Sequence, residues 1–486
     1  MNAIEVNGVS KHYGNVVALQ DVSFSVPKGG RYGLIGPDGA GKTSMFRILA
    51  TLLLPSKGTA TVDGFDTVTG MREIRRRVGY MPGKFSLYQD LTVEENLRFF
   101  ATLFGTTVEE GYDSVKDIYG QIERFKTRRA GALSGGMKQK LALSCALIHS
   151  PSVLFLDEPT TGVDPVSRME FWDMLDSLSE RGITILAATP YLNEVRRCDQ
   201  AIFMSEGQLR GIGTPDDILE EFKDVFGTSS AANGRSDKTD ILSDNVIVVD
   251  NLVKTFGSFH AVNHISFSVR KGEIFGFLGA NGAGKTTAMR ILAGLSQPSG
   301  GRATVAGYDA STQYEDIKKH IGYMSQKFSL YEDMTVKENI RLFGGIYGMS
   351  DAAINEEATM LLERMDFMKY ADTLVRDLPL GRKQKLAFSV SIFHQPEVVF
   401  LDEPTGGVDP ATRRQFWQLI YDAAERGITV FVTTHYMDEA EYCDRISIMV
   451  DGEIRALGTP DELKRQFNYE TMDEVFTHLA RQARRD

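Results

Sequence analysis

At 486 residues the chain exceeds what one hydrophobic core ordinarily organises and suits two or three domains. Its 42% hydrophobic and 24% charged residues exclude a wholly disordered chain and a membrane-embedded body. The excess of 65 Asp and Glu over 54 Lys and Arg, a net charge of −11, argues against a broad electrostatic grip on nucleic acid. The longest apolar runs, at 183–188 and 386–393, fall well short of the ~18 to 20 residues that span a bilayer. The opening MNAIEVNGVSKHYG lacks a basic head followed by an apolar core, so a cytosolic chain is expected. Cys145, Cys198 and Cys443 have neither disulfide-framework nor zinc spacing and read as small buried residues.

An internal repeat organises the sequence. SKHYGNVVALQDVSFSVPKG, from Ser10, recurs as VKTFGSFHAVNHISFSVRKG, from Val253, and the two halves then match along their length, Trp172 recurring as Trp417. Between the copies, GTSSAANGRSDKTDILSDN is small, polar and free of aromatics, which marks a linker. The expected organisation is a first domain over 1–226, a linker over 227–246 and a second domain over 247–486. In chain order, the first copy reads as an apolar strand RYGLIG, a helix over 42–53, a buried strand SVLFLD, an amphipathic helix around 169–178 and a strand ITILAAT. Continuous apolar strands between helices imply an α/β class with a parallel sheet covered on both faces.

The strings GPDGAGKTS and GANGAGKTT each follow an apolar strand and open a helix, the context that a phosphate-binding loop requires. Gly36, Gly39 and Gly41, with Gly279, Gly282 and Gly284 in the second copy, let backbone N–H groups turn inward around a phosphate. Lys42 and Lys285 would neutralise its oxygens, while Thr43 and Thr286 offer a hydroxyl to Mg²⁺, Ser44 and Thr287 completing the two strings. The LFLDEP strings put Asp157 and Asp402 at the ends of buried strands, where a carboxylate can hold Mg²⁺. The next residues, Glu158 and Glu403, sit where a carboxylate could polarise a water for attack on the γ-phosphate of ATP.

LSGGMKQK, with Ser134, Gly135 and Gly136, resembles the signature motif of ABC-type ATPases, a string that other phosphate-loop families lack. The resemblance covers nearly the whole chain outside the linker. It implies two nucleotide-binding domains, each with a RecA-like parallel-sheet core, an antiparallel β subdomain and a helical subdomain carrying the signature. It further implies that Tyr13 and Phe256 stack on adenine, that Gln326 is a Mg²⁺ ligand, that Asp164 and Asp409 belong to the GVDP strings, and that His435 is a donor to the γ-phosphate. In that family two domains pair head to tail and close over two ATP molecules, each between one phosphate loop and the other domain's signature; here the pairing is expected within one chain.

Against that pattern the copies differ. The first half has Gly83 where the second has Gln326, and Pro190 where the second has His435. The second half has Pro379 and Leu380 where the first has Ser134 and Gly135. Under head-to-tail pairing every loss falls on the site of phosphate loop 1 with signature 2, leaving phosphate loop 2 with signature 1 intact. The expectation is one competent and one impaired ATP site, the impaired one retaining Lys42, Thr43, Asp157 and Glu158 and still binding Mg-ATP.

The strings KFSLYQDLTVEENLRFF and KFSLYEDMTVKENIRLF, and the ending that includes TMDEVFTHL, resemble the drug-exporter branch of the ABC family. That implies separately encoded integral-membrane permease subunits as partners, received beside the Q-loop strings YMPGKFSLY and YMSQKFSLY. The chain would then be cytoplasmic and peripheral on the inner face of the cell membrane, without nucleic acid. A soluble tandem ATPase acting on the ribosome or nucleic acid is the alternative. It ordinarily needs a long charged inter-domain arm and two intact sites, whereas this linker carries Arg235, Asp237, Lys238, Asp240 and Asp244. The ATPase of a sugar importer is a third reading.

Overall fold

The structure, a computed structural model, describes residues 2–83, 87–223, 244–326 and 330–483. Residues 227–243 of the expected linker lie outside the described residues, and strand Asn245–Phe256 already includes the last two positions assigned to it. The chain divides into two compact units, one made essentially of residues up to 229 and the other of residues from 230 onward. Each contains a four-stranded antiparallel sheet, a six-stranded sheet and a set of helices.

In the first unit the six-stranded sheet runs in the order Gln208–Gly213, Gln200–Ser205, Gly30–Ile35, Thr184–Ala188, Val153–Asp157, Val78–Met81. The second repeats it with Glu453–Gly458, Arg445–Val450, Ile274–Gly279, Thr429–Thr434, Val398–Asp402 and Ile321–Met324. Val153–Asp157 and Thr184–Ala188 are buried at every position, as strands covered on both faces must be. The pairings are parallel except at one edge, where Gln208–Gly213 returns antiparallel to Gln200–Ser205 through a turn with Glu206 and Gly207 at positive φ. Such a two-residue turn is a hairpin connection, so the sheet that pattern reading makes wholly parallel carries an antiparallel edge.

Parallel pairing gathers the carboxyl ends of neighbouring strands, the usual location of ligand sites in open α/β sheets. Leu34 and Asp157 are both in register with Ala188 in the first unit. In the second, Leu278 pairs with Thr434 and Asp402 with Thr433. The helix expected over 42–53 ends at Leu49. Thr51 takes a left-handed φ of 59°, and the N–H groups of Leu52 and Leu53 both donate back to the Arg47 carbonyl, which closes the helix. The helix read around 169–178 is longer, Pro165–Glu180.

The helical subdomain of the first unit comprises Val93–Phe104, Val108–Tyr119 and Gly135–Leu147. Its first two helices begin with capping boxes at Thr92 and Thr107, and Leu97, Val115 and Leu143 fill its core. The second unit places Val336–Ile346, Asp351–Arg364 and Leu380–Ser391 correspondingly. It also ends in helix Met472–Ala483, whose Met472, Val475 and Phe476 are buried in its core.

A buried amide fixes the entry to each helical subdomain. Asn339, fully buried, accepts from the Tyr331 N–H at 2.8 Å and donates to the carbonyls of Tyr331 and Thr335, both at 3.0 Å. Asn96 does the same for Tyr88 and Thr92. Asn339→Leu strands those backbone groups and should cost about 1–3 kcal/mol. A lower thermal midpoint for the second unit checks this; an unchanged midpoint contradicts it.

Candidate active site

Each phosphate loop owes its shape to glycine. Gly41 and Gly284 open the helices Lys42–Leu49 and Lys285–Leu292 with φ near 95° and 102°, and a Cβ on either would lie 2.5 Å from the Ala18 carbonyl or 2.1 Å from that of Ala261. Gly39 and Gly282 also have positive φ, but a Cβ there would meet nothing, so that side of the loop is open to a ligand. Gly36, just past strand Gly30–Ile35, and Gly279, the last residue of Ile274–Gly279, lie against the carbonyls of Met204 and Met449. Lys42 and Lys285 are buried, and their ammonium groups donate into the loops' own carbonyls. Lys42 Nζ reaches Gly36 O at 2.7 Å and Pro37 O at 3.0 Å; Lys285 Nζ reaches Gly279 O at 2.6 Å and Ala280 O at 3.0 Å. Burial lowers the Lys285 pKa from the ordinary lysine value, opposed by Glu403 and Asp402. A desolvated cation with open space above the loop suits a phosphate group. Ser44 and Thr287 occupy the first turns of the two helices.

The hydroxyl of Thr43 lies 3.3 Å from Asp157 Oδ1, and that of Thr286 3.1 Å from Asp402 Oδ1. Two hard oxygen donors so spaced match the ~3 Å edge of an octahedron with ligands about 2.1 Å from Mg²⁺, an ion that keeps several waters and takes few protein ligands. The residues present therefore fit the ion. Burial raises the pKa of both aspartates, which binding a divalent cation would reverse. Asp402 accepts a second hydroxyl, that of Thr433 at 2.6 Å, where the first unit has Ala188.

The glutamates diverge most. Glu158 and Glu403 both follow the strand end with left-handed φ of 52° and 49°, held by N–H bonds to the carbonyls of Ala188 and Thr433. Around Glu403 three donors converge. His435 Nδ1 lies 3.2 Å from Oε1, Gln326 Nε2 donates to Oε2 at 2.8 Å, and Lys285 Nζ is 3.8 Å from Oε1. Burial pushes the Glu403 pKa up, but His435, Lys285 and Gln326 outweigh it and hold the carboxyl below the ordinary glutamate value. Glu158 has the Thr161 hydroxyl at 3.4 Å. There burial raises the pKa, Lys42 opposes, and the charges of Asp38 and Asp157 add to the rise. The same residue type at the same fold position is thus biased toward the anion in one unit and toward the neutral acid in the other.

Asp38 was not among the residues expected to matter. It stands in the first phosphate loop where the second has Asn281, and it puts a carboxylate into a loop built for anions. The signal was visible in GPDGAGKT against GANGAGKT. Gly83, at the place of Gln326, sits against the strand end, its missing Cβ 3.0 Å from the Asp157 carbonyl.

The signature residues occupy another element in each unit and, among the described residues, share none of the hydrogen bonds above. Ser134 caps helix Gly135–Leu147, its hydroxyl accepting from the Met137 N–H at 3.4 Å. Pro379 takes the same place before Leu380–Ser391 without a side-chain cap. Gly136 is demanded by packing, since a Cβ there would lie 2.8 Å from Ser167 Oγ; the equivalent Gly381 meets Thr412 at 2.4 Å. A Cβ on Gly135 would make only ordinary contacts, so the fold itself accepts Leu380 at that position. Tyr13 and Phe256 end their strands 45% and 58% exposed, with Lys11 and Lys254 each 5.2 Å from the ring centroid, and both rings are free to take a stacked base.

Comparison with known proteins agrees with this chemistry. The ABC transporter family model matches residues 19–161 and 262–406. The chain is 39% identical over 562 residues, covering 98% of it and 97% of the relative, to the probable multidrug ABC transporter ATP-binding protein YbhF of Escherichia coli. It is 35% identical over 231 residues, 47% of this chain and 74% of the relative, to the linearmycin resistance ATP-binding protein LnrL of Bacillus subtilis. Among solved structures, RNase-L Inhibitor superposes with a TM-score of 0.70 at 21% identity, covering 95% of this chain and 92% of that one, a likeness of fold. The two family matches and the near full-length relative place this chain in the ABC transporter family, as a nucleotide-binding ATPase with two ABC domains.

Proposed function

We propose that the chain is the ATP-hydrolysing subunit of a membrane exporter of drugs or other small molecules, with one competent and one impaired ATP site. The observation that carries the asymmetry is the convergence of His435, Gln326 and Lys285 on Glu403, where among the described residues Glu158 has the Thr161 hydroxyl and the Lys42 charge. In this reading Lys285 and the loop N–H groups bind the β- and γ-phosphates, and Tyr13 and Phe256 stack on the two adenines. Thr286 and Asp402, with Gln326, would hold Mg²⁺ at the competent site, and Thr43 and Asp157 would do so at the other. When bound, the ion supplies charge neutralisation across the phosphates. Glu403 accepts a hydrogen bond from Gln326, has His435 Nδ1 3.2 Å from its Oε1 and, ionised, orients the attacking water and takes its proton. His435, buried between Glu403 and the Tyr436 ring, is set to donate toward the γ-phosphate. The competent site would be completed by Ser134, Gly135 and Gly136 of the first domain, the impaired one by Pro379 and Leu380 of the second. Losing one preorganised donor typically costs about 10²–10³ in rate, so the combined absence of a histidine, a glutamine and a signature serine would nearly silence the first site.

No helix among the described residues is long and apolar enough to cross a membrane, so export would need permease subunits. Exposed aromatics end both Q-loop strings and suit such a contact: Tyr88 against Phe99 in a T-shaped pair at 4.8 Å, and Tyr331. Residues 84–86 and 327–329 of those strings lie outside the described residues. The names of the YbhF and LnrL relatives support the drug-exporter class, and the cytoplasmic face of the membrane follows as the location. The fold likeness to RNase-L Inhibitor, at 21% identity, adds nothing toward a ribosomal role.

Glu403→Gln should abolish steady-state ATP hydrolysis, whereas Glu158→Gln should leave most of it; equal losses would contradict the asymmetry. The pH profile gives a second check. Because the Glu403 pKa is depressed in the nucleotide-free protein, the acid limb of kcat/KM should fall below the ordinary glutamate value of 4.5. Gln326→Leu removes one of the depressing donors, so the acid limb of its residual activity should move to higher pH; a limb that stays put would exclude Glu403 as the titrating base. For the partner, gentle solubilisation of membranes and affinity purification of the chain should recover multi-span proteins, and recovery of ribosomal proteins in their place would overturn the exporter reading.

A further inference from the structure

Behind the site lies a second glutamate that the proposed chemistry does not use. Glu439 is fully buried, four residues after His435. Its Oε1 accepts the hydroxyl of Thr405, which lies two residues beyond Glu403, so the glutamate of the His435 segment is tied to the segment after the strand-end acid. Thr434, the residue before His435, accepts the Tyr436 N–H on its Oγ1 at 3.0 Å, so this bond spans the histidine. Arg413 closes the cluster, with Nε 3.6 Å from Glu439 and its guanidinium 4.4 Å from the Tyr436 ring centroid. Burying a carboxyl among such partners carries a desolvation cost that apolar packing of equal volume would avoid.

The first unit identifies what the cluster is for. Glu194, buried, accepts the Thr160 hydroxyl at 2.6 Å and that of Thr189, with Arg168 Nε at 3.7 Å and its guanidinium 4.0 Å from the Tyr191 ring. Tyr191 N–H donates to Thr189 Oγ1 at 3.1 Å. The threonine hydroxyl on the buried acid, the arginine beside it and the tyrosine N–H bond all recur although Pro190 stands where His435 would be, so the cluster does not exist to hold the imidazole alone. Common to both units is the strained acid at the strand end and the segment leading away from it. We propose that Glu439 is a positioning residue that locks the segment after Glu403 to the segment bearing His435, so that base and imidazole keep one geometry through turnover. This rests on the reading of Glu403 as the base.

The test severs the lock without touching either group. Thr405→Val removes the hydroxyl at nearly constant volume, and Thr405→Ser retains it. In the full chain Thr405→Val should lower kcat about tenfold or more, the scale on which a small misplacement of reacting groups acts, with KM for ATP and equilibrium ATP binding per chain nearly unchanged. Thr405→Ser should keep kcat within about twofold, since it retains the hydroxyl that Glu439 accepts. A Thr405→Val chain with wild-type kcat, or one whose activity falls only in step with ATP bound, would overturn the proposal, as would equal loss in Thr405→Ser. Glu403→Gln assayed alongside separates the failures. Its inactivity with an active Thr405→Val rejects the lock alone, and its activity rejects the base and the lock together.

Discussion

A carboxylate cannot sit buried beside a phosphate loop as an anion unless donors surround it, and this constraint governs the site. Glu403 meets it through His435, Gln326 and Lys285. Glu158, on a matching strand end and at a matching left-handed φ, has a threonine hydroxyl and the Lys42 charge set against Asp38 and Asp157. Opposite directions of pKa shift follow from neighbours alone, because burial acts upward on both. The two units therefore share a scaffold and differ in the electrostatics placed on it.

The scaffold explains why so few substitutions separate the units. Three parallel strands end together on the phosphate loop, on the Asp–Glu pair and on the segment carrying His435 or Pro190, so a side chain at any of these ends faces the same small volume. Changing a strand-end residue alters the chemistry without disturbing the sheet. The signature helices behave alike: packing against Ser167 or Thr412 fixes Gly136 and Gly381, while the preceding position is free to be Gly135 or Leu380.

Much of this was legible in the sequence because the chemistry is local. A phosphate loop needs glycines, a lysine and a hydroxyl within nine residues, and the LDEP acids are adjacent, so spacing alone exposed them; the comparison of copies then exposed Gln326 and His435. What stayed hidden depends on distance along the chain. Thr160 and Glu194 are far apart in sequence and meet only in the fold, and the Thr433 hydroxyl on Asp402 follows from strand register. The edge hairpin at Glu206 and Gly207 was missed because its strands are too short for period to decide direction. The end of the first helix at Leu49 turns on the left-handed Thr51, a conformation that no threonine advertises. Asp38 could have been read, since its charge is wrong for an anion loop whatever the fold.

The central claim is that one chain holds two nucleotides and cleaves one. It is tested most directly by a single-turnover experiment in which the purified chain is saturated with labelled ATP and freed of excess. The nucleotide retained and released over one cycle is then counted. One ADP formed per chain, with one ATP still intact, is the expected result; two ADP formed at the same rate would contradict it.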